Sequence, residues 1–214
     1  MIEAYLATLV GVALAQASPG PNMLAVAGAA LGRGRRAGLM TVAGIASGML
    51  VWALAVALGL GAVVALFPAA LSAMKILGGA YLLWIALKAL RAAWRGGETS
   101  VDADERPRSG LAAWRRGLFV VLTNPKAMLM WTAVGTFLFG SGLSTLQVAL
   151  FGPVAMVSAS LIYGAYAVLF STGVAARTYA RFTRAIEAGL AAAFGALGGA
   201  LVLDGVRELR ERVG

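Results

Sequence analysis

The sequence contains no cysteine and no histidine. Their absence excludes disulfides, thiol redox chemistry, zinc sites with Cys or His ligands, and acid–base catalysis by histidine. Charged residues are scarce as well, at 13% of the chain, whereas soluble domains carry about 25%. A membrane enzyme fits this composition poorly, because the apolar segments also lack paired carboxylates. No cofactor, metal site or catalytic residue is expected.

Two long stretches lack charge altogether. No Asp, Glu, Lys or Arg occurs between Arg36 and Lys75, or between Lys126 and Arg177. A transmembrane helix needs roughly 20 mainly apolar residues, so each stretch holds one full span and part of another. The chain is therefore predicted to be an all-α integral membrane protein.

The net charge of +9 does not indicate nucleic-acid binding, because the basic residues cluster at the ends of apolar segments. The arginine-bearing connections follow the first, third and fifth segments, which predicts that these connections are cytoplasmic and that both termini lie outside. If the sixth segment fails to span, the count is five and the tail is cytoplasmic. The six predicted segments cover about 4–31, 38–66, 71–90, 118–139, 146–172 and 188–206.

The first segment partly resembles a signal peptide. A cleavable signal begins with basic residues, and none precedes Arg33, so a first transmembrane helix is the preferred interpretation. A hydrophilic loop, 91–117, then divides the segments into two repeats of three, 1–90 and 118–206, followed by a charged tail, 207–214. Because three is odd, the second repeat enters the membrane in the opposite orientation. This predicts a 3+3 inverted repeat.

Prolines interrupt the first helix of each predicted repeat. The first carries "SPGPNML" at 18–24, and the fourth segment carries "TNPKAML" at 123–129. Ser18-Pro19 and Asn124-Pro125 each resemble an N-cap followed by proline at the first helical position. Half-helix N-termini at mid-membrane hold anionic substrate groups in transporters, because their N–H groups lack partners there. The alternative is a proline kink that neighbouring helices repair.

Lys126 is the strongest single candidate for a functional residue. It lies ten residues after Arg116, about 15 Å along a helix and thus near the midplane of a core about 30 Å thick. A lysine there costs about 2.5 kcal/mol or more, which predicts that it faces a cavity or a partner. Lys75 is shallower and either snorkels to the interface or joins the site. The remaining polar candidates for the cavity wall are Gln16, Asn22, Tyr81, Thr123 and Asn124.

Several motifs together resemble the LysE/RhtB family of amino-acid exporters. They are "SPGPNMLAVAGAALGRGRRAGLMTVAGIASG", "LGGAYLLWIALKALR" after Lys75, and "RGLFVVLTNPKAMLMW". The resemblance implies a secondary transporter of the bacterial inner membrane that exports amino acids or their derivatives, driven by the proton gradient. It implies substrate-binding roles for Pro19, Gly20, Pro21, Asn22, Asn124, Pro125 and Lys126. Ser18, the expected cap, is a further substrate-binding candidate.

Two alternatives stay open. One is a structural or assembly subunit, which glycine packing motifs such as Gly44-Ile-Ala-Ser-Gly48 permit but which gives no reason for Lys126. The other is a superfamily exporter of an ion or solute that is not an amino acid, although the lack of cysteine excludes the redox branch. Proton coupling has no buried carboxylate at mid-depth to support it, and a homo-oligomer is open too.

Overall fold

A computed structural model of the protein describes residues 2–60, 62, 69–95 and 109–213. All regular structure in these ranges is helical, and none of them contains a strand. The helices are α1 Ile2–Ala17, α2 Pro21–Ala55 with a π-helical turn at Val56–Leu60, α3 Ala69–Arg95, α4 Gly110–Thr123, α5 Pro125–Gly140, α6 Thr145–Phe170 and α7 Gly173–Val213.

Several of these helices are compatible with membrane spans. In the described part of the chain, Pro21–Gly59 and Thr145–Phe170 are long and apolar enough to cross a bilayer. Helices α4 and α5 pass the same test together as a pair bent by 61°, and α1 is a shorter apolar helix. The all-α membrane class predicted from the charge-free stretches is therefore supported, while the count of six spans stays a prediction.

The first predicted segment is broken where its prolines lie, and its second half continues into the next segment. Helix α1 ends at Ala17 and α2 begins at Pro21. Helix α2 then bends at Gly34, whose φ of 79° is a left-handed conformation that glycine adopts readily. The bend falls among the basic residues that were predicted to connect the first two segments.

Glycines allow the helices to approach closely. A Cβ on Gly44 of α2 would clash with the Trp114 carbonyl oxygen of α4, and one on Gly117 would clash with the Thr41 carbonyl oxygen. Gly79 of α3 and Gly198 of α7 are reciprocal, since a Cβ on either would lie 2.7 Å from the other's carbonyl oxygen. The packing role of the glycine motif at Gly44 is confirmed, and Gly79 and Gly198 play the same role between α3 and α7.

Polar contacts hold α1 against α6. The Tyr5 hydroxyl donates to the Gln147 carbonyl oxygen near the start of α1. At its other end, the Tyr166 hydroxyl donates to the Ala17 carbonyl oxygen at 2.6 Å. Because carbonyls at a helix C-terminus have no partner within the helix, the second bond stabilises the end of α1 at the break. The broken ends are thus fixed to the core of the protein.

Candidate functional site

Ser18 terminates α1 and does not cap α2. Its backbone N–H donates to Leu14 O at 2.9 Å, and its hydroxyl donates to Ala15 O at 2.9 Å, so it continues the hydrogen bonding of α1. The N-cap of α2 is Gly20, in an extended conformation without a side-chain cap, and Pro21 follows at the first helical position. The predicted N-cap role of Ser18 is therefore wrong by two residues, because the motif holds two X-Pro pairs and the second one starts the helix.

Asn124 caps α5 in the predicted manner. Its side-chain oxygen accepts a hydrogen bond from the Lys126 backbone N–H at 3.0 Å, and Pro125 occupies the first helical position. Asn22 and Lys126 therefore follow a proline at the same, second position of their helices. The two half-helices share proline at the first helical position but differ in their caps and in the side chain that follows the proline.

These equivalent residues form crossed contacts between the two breaks. The Asn124 side-chain amide donates to Asn22 Oδ1 at 3.1 Å. The Lys126 ammonium donates to the carbonyl oxygens of Ser18, at 3.4 Å, and Pro19, at 3.2 Å, and also contacts the Ser18 hydroxyl. Each half of the chain thus binds the break of the other, and residues far apart in sequence form one polar cluster.

The electrostatics of the cluster favour the lysine cation. Lys126 lies against carbonyls that follow the C-terminal end of α1, where the helix dipole is negative. Its Nζ also lies 5.9 Å from the centroid of the Phe194 ring, within the range of a cation–π interaction. The carbonyls and the ring offset part of the cost of burying the ammonium.

A small cavity of about 20 Å³ lies at the centre of this cluster. That is room for a single water molecule, so the arrangement is closed to a substrate. The Asn22 side-chain amide donates to the Tyr163 hydroxyl on its wall at 3.4 Å. The cavity is lined by Ala15, Gln16, Ser18, Gly20, Asn22, Met23, Met49, Asn124, Lys126, Ala127, Met130 and Tyr163.

Gln16 and two tyrosines extend the polar cluster onto α6. Gln16 Nε2 donates to Ala155 O at 3.2 Å, and the Ser158 hydroxyl donates to Gln16 Oε1 at 2.8 Å. Tyr163 and Tyr166 were missed by the sequence analysis. Their signal was available, since a spacing of three residues places two polar side chains on one face of an otherwise apolar helix.

Lys75 and Thr123 are predicted site residues that the structure does not bring to the cavity. Lys75 forms a salt bridge with Glu208, which also accepts a hydrogen bond from the Ser72 hydroxyl at 2.9 Å. This pairing joins α3 to α7 and accounts for the charge of Lys75 without a substrate. Thr123 is exposed, and its hydroxyl donates to Phe119 O at 2.7 Å within its own helix. The side chain of Tyr81 lies outside the described part of the structure.

The protein has apolar helices of membrane-spanning length. Two helix breaks meet inside the protein, and Lys126 lies between them. These features define a multi-pass membrane protein with an internal polar site. The sequence model of the LysE type translocator family matches residues 13–205. The chain therefore belongs to this family. The resemblance seen in the proline motifs and in the Asn-Pro-Lys motif is thereby confirmed.

Relatives of the chain include two amino-acid efflux proteins. The chain is 29% identical over 191 residues to a threonine efflux protein of Escherichia coli K12, covering 87% of this chain and 91% of the relative. It is 31% identical over 129 residues to a leucine efflux protein of Klebsiella pneumoniae, covering 60% of each. An uncharacterized membrane protein of Haemophilus influenzae is 25% identical over 194 residues, covering 90% of this chain and 92% of the relative. No solved structure is a significant match.

Proposed function

We propose that the protein exports amino acids or amino-acid derivatives across the bacterial inner membrane by alternating access. The observation that carries this proposal is the contact of the Lys126 ammonium with the Ser18 and Pro19 carbonyls across the two helix breaks. A zwitterion can offer a new partner both to the Lys126 ammonium and to the carbonyls. Its carboxylate binds Lys126 and the N-terminus of α5, and its ammonium binds the carbonyls that Lys126 releases.

Binding of a zwitterion between Lys126 and these carbonyls requires the two breaks to separate. The cavity of about 20 Å³ has no room for a carboxylate and an ammonium group together. The closed arrangement is then the state in which the empty carrier passes between its inward-open and outward-open forms. Asn22 and Asn124, which bond to each other in this state, become available to the substrate when the halves move apart.

A 3+3 inverted repeat is the proposed architecture for this motion. Its support is that α2 and α5 both begin with proline at the first helical position. Close glycine contacts between the proposed repeats add to it, with Gly44 against α4 and Gly79 against Gly198. In this architecture α1 with the start of α2, and α4 with α5, are the broken first helices of the two repeats.

Overproduction of the protein is expected to lower the cytoplasmic level of its substrate and raise the level in the medium. Profiling amino acids in cells and medium, with and without overproduction, measures both changes. An uncoupler that collapses the proton gradient is expected to stop the export, as the proposed proton coupling requires.

Unchanged pools across a broad panel of amino acids would contradict the proposed function. A change confined to another class of solute would favour an exporter of that solute within the same family. If no solute changed, a structural or assembly subunit would be favoured, and co-purification of partner proteins would then be the next measurement.

Single cysteines test the proposed orientation, since the native chain has no cysteine to interfere. Ser141 and Thr172 are both exposed, and they lie after the fourth and fifth predicted segments. We expect a membrane-impermeant maleimide to label Ser141→Cys in intact cells and Thr172→Cys only after the membrane is opened. The reverse pattern would place the N-terminus inside.

A further inference from the structure

A second cavity adjoins the polar cluster, with a volume of about 190 Å³. Its walls come from α1, α3, α5 and α7, and they are mainly apolar. The principal side chains are Val12, Leu82, Val134, Phe137, Phe194 and Leu201. The contacts of the polar cluster do not account for this second cavity.

The two cavities are continuous in their walls. Ala15 of α1 and Met130 of α5 line both of them. Phe194 joins them as well, because its ring lies 5.9 Å from Lys126 Nζ and also forms part of the larger cavity's wall. A molecule whose charged end binds Lys126 would therefore extend its other end past Phe194 into the apolar space.

We propose that this cavity binds the side chain of the exported amino acid and selects apolar side chains. This inference rests on the proposed function. The volume suits that occupant, since an apolar cavity of about 150 Å³ holds a molecule of the size of benzene. The cavity thus accommodates side chains as large as those of leucine, methionine or phenylalanine.

The polar groups on the described wall favour an apolar occupant. The Thr8 hydroxyl already donates to Ala4 O at 2.6 Å, and the carboxylate of Asp204 is exposed. Asp204 lies ten residues beyond Phe194, about 15 Å along α7. The hydroxyl of a short side chain such as that of threonine would lose its hydrogen bonds to water in this mainly apolar space without reaching Asp204, which disfavours threonine by up to about 100-fold relative to an apolar side chain of equal size.

The test is exchange of radiolabelled leucine by the purified full chain in liposomes, with unlabelled amino acids as competitors. Alanine, 2-aminobutyrate, norvaline and norleucine lengthen the side chain one methylene at a time. We expect the potency of inhibition to rise about tenfold or more with each added methylene. Threonine and lysine are added as hydroxylated and basic competitors.

Two matched variants on α7 locate the side-chain site. Ala200 lines the cavity and is exposed, so Ala200→Phe fills the space without overpacking the core. Ala196 is one turn earlier, is also exposed, and does not line this cavity. We expect Ala200→Phe to lower the potency of norleucine relative to alanine at least tenfold, and Ala196→Phe to leave that ratio as in the wild type.

The outcomes separate the inference from the function on which it rests. Absence of leucine exchange, together with unchanged amino-acid pools on overproduction, would overturn both. Absence of leucine exchange while the level of another amino acid changes would overturn the side-chain assignment alone. Exchange in which alanine, threonine or lysine inhibits as strongly as norleucine would overturn the side-chain assignment alone, lysine pointing to Asp204 as its partner. An unchanged ratio in Ala200→Phe would also overturn it.

Discussion

Replacing Lys126 with methionine is expected to lower the initial rate of amino-acid export by about 100-fold or more. The substitution keeps the length of the side chain but removes the charge that would bind the substrate carboxylate. Losing one partner of a buried, hydrogen-bonded charge pair costs about 2–5 kcal/mol, and each 1.4 kcal/mol is about tenfold. The rate is measured in liposomes at equal amounts of reconstituted protein.

Lys88→Met is the matched control for this experiment. Lys88 is exposed on α3, where its ammonium lies 5.6 Å from the centroid of the Trp84 ring. Export by this variant should equal that of the wild type. A Lys126→Met protein that elutes normally in detergent and exports at the wild-type rate would remove Lys126 from the substrate site.

Gly44→Ala is expected to destabilise the protein by about 3 kcal/mol. The added Cβ would clash with the Trp114 carbonyl oxygen and would lie 2.8 Å from the Leu118 nitrogen. Both are backbone atoms, which cannot rotate away as a side chain can, so α2 and α4 must separate. The temperature at which half of the detergent-solubilised protein loses its monodisperse elution peak measures the effect.

Gly164→Ala makes the same chemical change at a site with open space, since a Cβ there meets no atom within 4 Å. That variant should melt at or slightly above the wild-type temperature, because alanine restricts the unfolded chain more than glycine does. Equal melting temperatures for the two variants would show that the contact at Gly44 is not close in the folded protein.

The membrane class and the position of both breaks could be predicted from the sequence because they depend on local signals. A charge-free stretch and a proline each act on their own neighbourhood. The same reasoning misplaced the first cap, because "SPGPN" offers Ser18-Pro19 and Gly20-Pro21 as equal starts. Tertiary contacts decide between them, since Ser18 is held at the end of α1 beside Lys126.

Partners that lie far away in the sequence could not be predicted. Lys75 was a candidate for the site because its partner, Glu208, lies in the stretch that was predicted to be a charged tail. The structure shows this stretch as the C-terminal end of α7 up to Val213. The role of Tyr163 in the small cavity could not be predicted for the same reason, because its hydrogen-bond partner, Asn22, is on a different helix.

The crossed contact between the breaks has a consequence for leakage. In the proposed mechanism, an unloaded carrier must return across the membrane without letting ions through. The Lys126 ammonium contacts the Ser18 and Pro19 carbonyl oxygens. It would therefore block the substrate path whenever no substrate is bound. Its positive charge also repels sodium and potassium from that path. The same lysine would thus both recognise the cargo and insulate the membrane in its absence.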